Sequence, residues 1–232
     1  MGKTLIQQAR GRGGPVYRVR KKAYLYKISY PPLKMNGKAK IVRLLNSSAH
    51  SAPLAKISIG NYNFYSPAAY GIYEGQEIDI DSDKIKEGNI TKLKNIPVGT
   101  KIFNIELFPG GGGKIVRSSG CFATVYSKNK GKVEILIKRR KIELDENCRA
   151  TIGVIAGSGR KMKPLVKAGK KYYIMKSKGR KWHRTSAVKM NAVDHPFGGG
   201  RGKRIKSKIA KRNAPPGAKV GHIRPRKTGK NK

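Results

Sequence analysis

KVEILIK, at residues 132–138, belongs to a series of short runs in which apolar and polar side chains alternate. Alternation with a period of two directs apolar side chains to one face of a β-strand, and β-branched residues suit strands better than helices. The whole chain contains 23 isoleucines and 11 leucines, which also favours strands. Further runs of the same type lie at residues 101–107, 122–126 and 141–144. Together these runs predict a small β-barrel over residues 100–165.

A second set of alternating runs lies nearer the N-terminus, and each run is bounded by Gly, Pro, Asn or Ser. These runs occupy residues 23–28, 40–45, 55–59, 63–65 and 76–80. About five short strands at this spacing are typical of an OB-type barrel, which we predict over residues 23–82. Gly88-Asn89 and Asn95-Ile96-Pro97 provide turn chemistry, so a linker is predicted over residues 83–99. The predicted fold class is therefore all-β, without long helices.

The chain is strongly basic. It has 53 Lys and Arg residues against 12 Asp and Glu residues, which gives a formal net charge of +41 on 232 residues. Self-repulsion of this size destabilises a compact monomer, so the working state is expected to include phosphate counter-charges. The acids are unevenly placed, with none before Glu74, six from Glu74 to Glu87, and only Asp194 after Glu146. The patch at residues 74–87 is interpreted either as a face turned away from RNA or as an ordinary solvated loop.

Both ends of the chain are rich in cations. Residues 1–22 form a basic arm whose flexible glycines let Arg10 and Arg12 approach phosphates closely. The stretch 190–232 contains 13 Lys or Arg residues and no acid beyond Asp194. Such a segment has too few apolar residues to offset its ordering entropy, so it is expected to order only against a polyanion. RNA is the obvious polyanion.

Aromatic rings lie among the cations of residues 160–184. Stacking such a ring on an unpaired base is worth about 1–3 kcal/mol, while the cations hold the backbone. Tyr172 and Tyr173 are equally compatible with packing on the second barrel, because aromatic side chains normally find a core first. Trp182, which is flanked by a lysine and a histidine, is the better candidate for stacking.

Other classes of function lack the residues that they require. Cys121 and Cys148 form no Cys-x-x-Cys pair, so no zinc site is predicted and both thiols are expected to be reduced. The glycine-rich loops at 110–114, 157–159 and 198–200 depart from P-loop and Rossmann spacing, so no cofactor is predicted. The sequence shows no signal-peptide core and no run of about 18 apolar residues, which predicts a soluble, intracellular protein without a membrane partner.

Asp194-His195 is the one pair that resembles catalytic chemistry, because a carboxylate can orient an imidazole. Side chains at adjacent positions diverge, however, and no activated nucleophile or metal set completes a site. A histidine that hydrogen-bonds RNA among phosphates is the favoured interpretation. No catalytic residue and no metal ligand is predicted.

Several motifs, taken in order, match one known family. They are GRG at residues 11–13, SAPLA at 51–55, RATIGV at 149–154, GSGR at 157–160, KP at 163–164, VKAG at 166–169, MNAVDHPFGGG at 190–200 and RNAPPGAKVG at 212–221. On these motifs the chain resembles, over nearly its whole length, the family of the universal second protein of the large ribosomal subunit in its archaeal and eukaryotic form. Residues 186–189, SAVK, depart from the family's usual Arg-Gly-Val-Ala, so Arg184 or Lys189 would replace that arginine.

The resemblance implies an OB-type barrel followed by an SH3-like barrel, with extended basic segments at residues 1–22 and 166–232 that run into large-subunit rRNA. It implies no reaction. The C-terminal part would lie towards the subunit interface and the peptidyl-transferase region, where it supports subunit association and tRNA binding. Expected partners are large-subunit rRNA, neighbouring ribosomal proteins and the small subunit, all in the cytoplasm, and no homo-oligomer is expected.

The residues predicted to contact rRNA combine the basic segments with the family motifs. They are Arg10, Arg12, His50, Arg117, Arg160, Lys161, Lys163, Lys170, Lys171, Lys176, Lys181, Trp182, Arg184, Asn191, Asp194, His195, Gly198, Gly199, Gly200, Arg201, Lys203, Lys211, Arg212 and Lys219. Two alternative functions are a free single-strand-binding module, which would bind without its tails, and an enzyme that uses His195. Only the ribosomal interpretation explains why the charge continues through both termini and the connecting loops.

Overall fold

A computed structural model describes residues 3–203 and 209–224 and divides the chain into two units. Residues 21–164 form the first, here called the β unit. Residues 1–20 together with 165–232 form the second, here called the terminal unit. Most of the regular structure is in β-strands, which confirms the all-β class.

The β unit contains ten strands in one hydrogen-bonded series, in the order β3-β2-β1-β4-β5-β10-β6-β7-β8-β9. The strands are β1 (Gly37–Leu45), β2 (Leu54–Ile59), β3 (Tyr62–Pro67), β4 (Glu77–Ile80), β5 (Ile90–Lys92), β6 (Lys101–Phe103), β7 (Ala123–Asn129), β8 (Lys132–Ile137), β9 (Arg140–Asp145) and β10 (Arg149–Ile152). Neighbours are antiparallel except β4 and β5, which pair in parallel. Two 3₁₀ helices, Leu93–Asn95 and Ser158–Lys161, complete the unit.

Two large apolar clusters stabilise the β unit together with a small third one, which contains Ala52, Ala69, Phe103 and Ile155. Alternate side chains of the strands contribute to the two large clusters. The first draws on β1–β5 and contains Tyr30, Ala39, Ile41, Ala55, Ile57, Phe64, Ala68, Ile78, Ile80 and Ile90. The second draws on β6–β10 and contains Leu93, Ile96, Ile102, Ile105, Ala123, Val125, Val133, Ile135, Leu144, Cys148, Ala150 and Ile152. Each fully buried isoleucine contributes about 1.5–3 kcal/mol, so the two clusters supply most of the stabilisation of this unit.

Most of the predicted strands are confirmed. The runs at residues 40–45, 55–59, 63–65 and 76–80 coincide with or overlap β1 to β4. The runs at residues 122–126, 132–138 and 141–144 overlap β7 to β9. Alternation succeeds at these places because one side of each strand faces an apolar cluster and the other side faces solvent.

Two predicted strands are wrong in whole or in part. Residues 23–28 contain a turn and a bend, and their one ladder contact is an isolated bridge between Ile28 and Tyr65. Tyr24 and Leu25 are exposed, so the apolar residues of this run do not form one buried face. The strand predicted over residues 101–107 ends at Phe103, because Asn104 adopts a left-handed φ of 50° that interrupts the extended backbone.

Strands β5 and β10 are too short to be recognised by alternation, and every residue of β10 is buried. β5 lies within residues 83–99, where a linker is predicted. It pairs with β4 on one side and with β10 on the other. Leu93 and Ile96, in the same segment, are fully buried. The two halves of the sheet are therefore joined through packed structure.

A buried ion pair connects several parts of the β unit. Arg149 Nη2 donates to Glu106 Oε1 at 2.9 Å, and the two side chains are 3% and 0% exposed. The Glu106 carboxylate also accepts from Nε and the backbone N–H of Arg149 and from the backbone N–H of Gly112. Arg149 Nη1 donates to the carbonyl of Pro31 at 2.9 Å. This pair therefore connects the chain entering β1, the glycine-rich loop and β10.

Tyr30 adds a second connection in the same region. Its hydroxyl donates to the carbonyl of Asn104 and accepts from the hydroxyl of Thr151, both at 2.7 Å. Burial raises the pKa of the Tyr30 phenol, so the hydroxyl keeps its proton. The Arg149 guanidinium lies 5.2 Å from the centre of the Tyr30 ring.

The terminal unit has little regular structure. Its elements are a 3₁₀ helix at Ile6–Arg12, helix α1 at Ala168–Ser177, a 3₁₀ helix at Ala187–Lys189, and the parallel pair β11 (Ile209–Ala210) and β12 (His222–Ile223). Helix α1 is a departure from the extended conformation predicted for residues 166–232. Among the described residues of this unit, only Leu5, His195 and Ala210 are buried.

Breaking the buried ion pair tests its importance. Arg149→Met leaves the Glu106 carboxylate buried without its cation, and we expect a loss of about 3–5 kcal/mol in the free energy of unfolding. The double variant Arg149→Met with Glu106→Met should recover only part of this loss, because it removes the unpaired buried charge but leaves the backbone N–H groups of Gly112 and Arg149 without their acceptor. Urea unfolding of the full chain followed by circular dichroism measures both values.

Lys132→Met is the matched control for this experiment. It breaks the Lys132–Glu143 pair, whose side chains are 67% and 58% exposed. A surface pair of this kind contributes about 0–1 kcal/mol. Equal losses for Lys132→Met and Arg149→Met would contradict the role given to the buried pair.

Candidate nucleic-acid interface

Charge is distributed very unequally between the two units. The sequence of the terminal unit has 27 Lys or Arg residues and a single acid, Asp194. The β unit contains the other 11 acids and 26 cations. Because the described part of the terminal unit buries so few side chains, apolar burial contributes little to its order. Counter-charge from outside the chain is the remaining source of stabilisation.

Helix α1 presents cations and aromatic rings together. The predicted contact residues Lys170, Lys171 and Lys176 lie on it, and none of its residues is buried. Lys176 Nζ lies 5.5 Å from the ring centre of Tyr172, and Lys171 Nζ lies 5.8 Å from that of Trp182. The rings of Tyr172, Tyr173 and Trp182 are partly exposed. The helix therefore offers aromatic rings that can stack on bases and, beside them, lysines that can bind phosphates.

The motif at residues 190–200 folds into a chain of tight turns. The backbone N–H groups of Asp194 and His195 both donate to the carbonyl of Asn191, at 3.0 and 3.2 Å. The N–H of Gly198 donates to the carbonyl of His195, and the N–H of Gly199 donates to the carbonyl of Met190. A Cβ at residue 198 would overlap the Asn191 backbone, and residues 199 and 200 have φ of 84° and 72°. Each of these glycines is needed for the turn geometry.

Asp194 and His195 do not act as a pair in this geometry. His195 is 6% exposed, and its Nδ1 accepts the backbone N–H of Phe197 at 3.0 Å. The Phe197 ring lies 5.2 Å from the imidazole. The Asp194 carboxylate instead lies 3.4 Å from Lys3 Nζ. The imidazole is therefore held by the motif's own backbone, and the carboxylate points to another partner.

Five of the predicted contact residues line one cavity of about 710 Å³ in the terminal unit: Lys181, Arg184, Asn191, Asp194 and His195. Lys189, the alternative to Arg184 as the replacement arginine contact, lines it too, as do Lys3 and His183, which were missed from sequence. Their position depends on how the arm folds back to the 190–200 motif, for which no local pattern exists. Lys219 lines a second cavity, of about 460 Å³, which also contacts His195.

The other predicted residues of the terminal unit lie outside these cavities. Arg10 and Arg12 are exposed in the last turn of the Ile6–Arg12 helix. Arg201, Lys203 and Lys211 are also exposed. Arg212 Nη2 donates to the carbonyl of Arg224 at 3.1 Å. These cations form an exposed basic surface rather than a closed site.

In the β unit, His50 and Arg117 interact electrostatically although they are far apart in sequence. His50 Nδ1 lies 2.8 Å from Ser47 Oγ, and its ring meets the Tyr24 ring edge-on at 5.1 Å. Burial lowers the pKa of His50, and the positive charge of Arg117 lowers it further. Burial likewise lowers the pKa of Arg117. The Arg117 guanidinium therefore favours the neutral form of His50 and carries the positive charge of this region, which favours an anion.

Two hydrogen bonds hold the glycine-rich loop at residues 110–113 in place. Gly112 N–H donates to Glu106 at 2.9 Å, and the Arg117 guanidinium donates to the carbonyl of Gly113 at 3.4 Å. A Cβ at residue 113 would lie 2.5 Å from Asn104 Oδ1, so only glycine fits. Arg160, Lys161 and Lys163, within and after the Ser158–Lys161 helix, are exposed.

The acidic patch at residues 74–87 is used partly inside the β unit. Glu74 Oε1 accepts the backbone N–H of Leu44 at 2.7 Å. Lys92 Nζ lies 2.8 Å from Asp81 Oδ2. Several of its carboxylates therefore serve the unit's own hydrogen bonds and ion pairs.

A metal site and a membrane span each require a particular arrangement of residues. In residues 3–203 and 209–224, no group of three or more His, Cys, Asp and Glu side chains could hold a metal ion. None of the helices in the described part of the chain is long and apolar enough to cross a membrane.

A strand-rich unit joined to long basic segments, in which only three described residues are buried, is typical of the class of nucleic-acid-binding proteins. Comparison with known proteins identifies the family. Residues 86–217 match the family model described as Ribosomal Proteins L2, C-terminal domain. The chain belongs to this ribosomal protein L2 family.

Curated relatives support this assignment over the whole length. The chain is similar to the large ribosomal subunit protein uL2 of Archaeoglobus fulgidus, with 46% identity over 236 residues and 99% of each chain covered. The protein of the same name from Methanococcus maripaludis is also 46% identical, over 99% of this chain and 100% of its own. That of Hyperthermus butylicus is 44% identical, with both chains covered completely. The relatives' names are those of ribosomal proteins, not enzymes.

The turn at residues 190–200 can be tested with one methyl group. Gly198→Ala places a Cβ against the Asn191 backbone, and we expect the motif to open. Amide hydrogen exchange of the full chain should then show faster exchange at residues 195–199. Gly169→Ala is the control, because a Cβ there meets nothing within 4 Å. Unchanged exchange in Gly198→Ala would contradict the close approach.

The link between Arg117 and His50 predicts a pH effect. Arg117→Gln removes the neighbouring positive charge, so the pKa of His50 should rise towards its ordinary value of 6.5, although burial still lowers it. In the parent chain the pKa of His50 is lowered in the folded state, so as the pH falls the unfolded state binds the proton at a higher pH than the folded state does. His50 therefore reduces stability as the pH falls through about 6.5. Arg117→Gln should weaken this loss.

NMR titration of the histidine ring carbons measures the pKa of His50 directly. Arg43→Gln is a control that removes one exposed arginine from β1. A His50 pKa that is the same in the parent chain and in Arg117→Gln would refute the electrostatic link.

Proposed function

We propose that this chain is a structural constituent of the large ribosomal subunit that binds large-subunit rRNA and performs no reaction of its own. The observation that carries the proposal is the terminal unit, with 27 cations, one acid and only three buried residues among those described. Such a unit needs a polyanion to order it. Identity of about 45% with ribosomal relatives over nearly the full length supports rRNA as that polyanion. As a member of this family, the chain functions in the cytoplasm.

The proposal includes the finer architecture. Residues 23–82 would form an OB-type barrel and residues 100–165 an SH3-like barrel, joined through residues 83–99. The two large apolar clusters, one in each half of the sheet, support this division. Residues 1–22 would be a basic N-terminal arm, and residues 166–232 the C-terminal segment that enters rRNA.

The 24 residues predicted to contact rRNA remain a proposal. Support comes from the grouping of Lys181, Arg184 and Asn191 around one cavity and from the pairing of His50 with Arg117. The motif at residues 190–200 would lie nearest the peptidyl-transferase region, where it would support subunit association and tRNA binding. Neighbouring ribosomal proteins and the small subunit would be its other partners, and the chain would act as a single copy.

The proposal predicts selective binding to large-subunit rRNA. We would measure the affinity of the full chain for large-subunit rRNA and for an unrelated structured RNA of equal length across a salt series. Both affinities should fall steeply, by about 0.7–0.9 log units per log unit of salt for each phosphate neutralised. Large-subunit rRNA should keep a clear advantage at high salt, because shape-specific contacts are screened less than exposed charges.

A variant without residues 186–232 distinguishes the ribosomal function from a free single-strand-binding module. Loss of this segment should reduce both the affinity and the salt slope, since it removes many phosphate contacts. Coincident curves for the two RNAs, together with an unchanged affinity of the shortened chain, would favour the free module instead.

A further inference from the structure

The β unit contains a groove beside Arg117. It has a volume of about 670 Å³ and is lined by the loop at residues 114–122 and by the adjoining ends of β7 and β8. Volumes of about 300–1,000 Å³ are typical of sites that enclose a small molecule or one residue of a polymer. Arg117 and Lys161 were predicted from sequence as RNA contacts, but the groove between them was not.

The floor and the rim of this groove differ in chemistry. Ile115, Val116 and Ile137 line the groove and pack against the second apolar cluster, which gives it an apolar floor. The charged residues that line the groove are all cations, namely Lys114, Arg117, Lys138 and Lys161. An apolar floor with a purely cationic rim suits a ligand that has a flat apolar part and a negative charge.

Phe122 supplies an aromatic ring to this groove. The side chain lines the groove and is 41% exposed, although a phenylalanine normally finds a core. Lys101 Nζ lies 5.0 Å from the centre of its ring. An exposed ring beside cations is the arrangement that stacks on an unpaired base while the phosphate is neutralised.

Arg117 provides the anion-binding group. Its guanidinium has five N–H donors, and its one described hydrogen bond is the 3.4 Å contact with the carbonyl of Gly113. No carboxylate in the described part of the chain forms an ion pair with it. A partly buried cation without an anion is a costly arrangement, and a phosphate oxygen would satisfy it.

The backbone at the groove is strained. Val116 and Lys138, which both line it, have φ of 54° and 57°. A left-handed conformation is unusual for any residue with a Cβ and especially for a β-branched one such as valine. Such a conformation costs about 1–3 kcal/mol per residue, and residues strained in this way are concentrated at functional sites.

We infer that this groove binds one unstacked nucleotide of single-stranded RNA, with the base against Phe122 and the apolar floor and the phosphate on Arg117. The inference rests on the proposed function, since it names the part of an RNA that this surface would take. It assigns to Phe122 a role that composition and spacing did not reveal. An acidic peptide would satisfy the cations but would leave the ring and the floor unused.

Cys121 allows the occupancy of the groove to be measured directly. Its thiol lines the groove and is half-buried, whereas Cys148 is fully buried with a pKa raised to about 11 by burial. Alkylation with iodoacetamide, followed by mass spectrometry of the peptide containing Cys121, therefore reports on this site alone. A short oligouridine is the probe, and an abasic oligomer of equal length and charge is its control.

We expect oligouridine to slow alkylation of the full chain by about tenfold at ten times its dissociation constant, because only the unoccupied fraction reacts. The abasic oligomer should protect much less. Phe122→Leu should raise the concentration giving half-protection by about 5-fold to about 140-fold, the value of one stacked base. Arg117→Gln should raise it as well.

Tyr126→Leu and Arg43→Gln are the matched control variants. Tyr126 is an exposed ring on β7 with a lysine over it, as Phe122 has, but it does not line the groove. Arg43 is an exposed arginine of β1 outside the groove. Neither substitution should change the protection of Cys121.

Three results would overturn the inference. Equal protection by the abasic oligomer would show that the groove responds to charge alone. Unchanged alkylation while fluorescence anisotropy shows bound oligouridine would show that RNA binds elsewhere. Equal effects of Phe122→Leu and Tyr126→Leu would remove the role of stacking. In each case selective binding to large-subunit rRNA in the salt series would leave the proposed function intact, so the two failures are distinguishable.

Discussion

The Glu106 carboxylate is the group on which the β unit depends most. It is fully buried, which is tolerated only when a charge is paired and its lone pairs are satisfied. Arg149 and the backbone of Gly112 supply those donors, and Arg149 in turn reaches the carbonyl of Pro31. One ion pair thus fixes the entry to the sheet, strand β10 and the glycine-rich loop. The conformation of the glycine-rich loop is therefore determined by hydrogen bonds in the core.

This arrangement explains how a chain with a net charge of +41 has a folded core at all. The acids are concentrated in the β unit, where Glu106, Glu74 and Asp81 accept hydrogen bonds or form ion pairs within the sheet. Two apolar clusters supply the remaining stabilisation. The terminal unit has a single acid, Asp194, and only three buried residues among those described. Burial therefore contributes much less to the terminal unit than to the β unit.

The parts of the fold that the sequence predicts are those where a physical pattern is local. Strand β8 alternates because Val133 and Ile135 face a cluster. The run at residues 23–28 is also rich in residues that favour strands but forms only one isolated bridge, between Ile28 and Tyr65, so a local pattern alone misleads. Strand β10 is buried throughout, so it shows no alternation to detect. Helix α1 buries no residue, so it shows no apolar stripe.

The same distinction applies to the interface. Cations, glycines and the 190–200 motif are visible in sequence, because charge and turn chemistry are properties of single residues and short segments. The cavity around Lys181 and Asn191 also needs residues 3–7, and the groove lined by Arg117 and Phe122 also needs residues 136–138 and Lys161. These segments are distant along the chain, so a local sequence pattern does not predict the two cavities.

His195 shows how geometry decides between two roles that its residue type allows. Because Nδ1 accepts the N–H of Phe197, the neutral imidazole carries its proton on Nε2. The free ring nitrogen is then a donor, which suits an oxygen of a phosphate or a base. A general base would need the lone pair of Nε2, and the nearest carboxylate in sequence is engaged with Lys3. The backbone of the motif thus makes His195 a fixed hydrogen-bond donor, which is consistent with recognition of RNA rather than proton transfer.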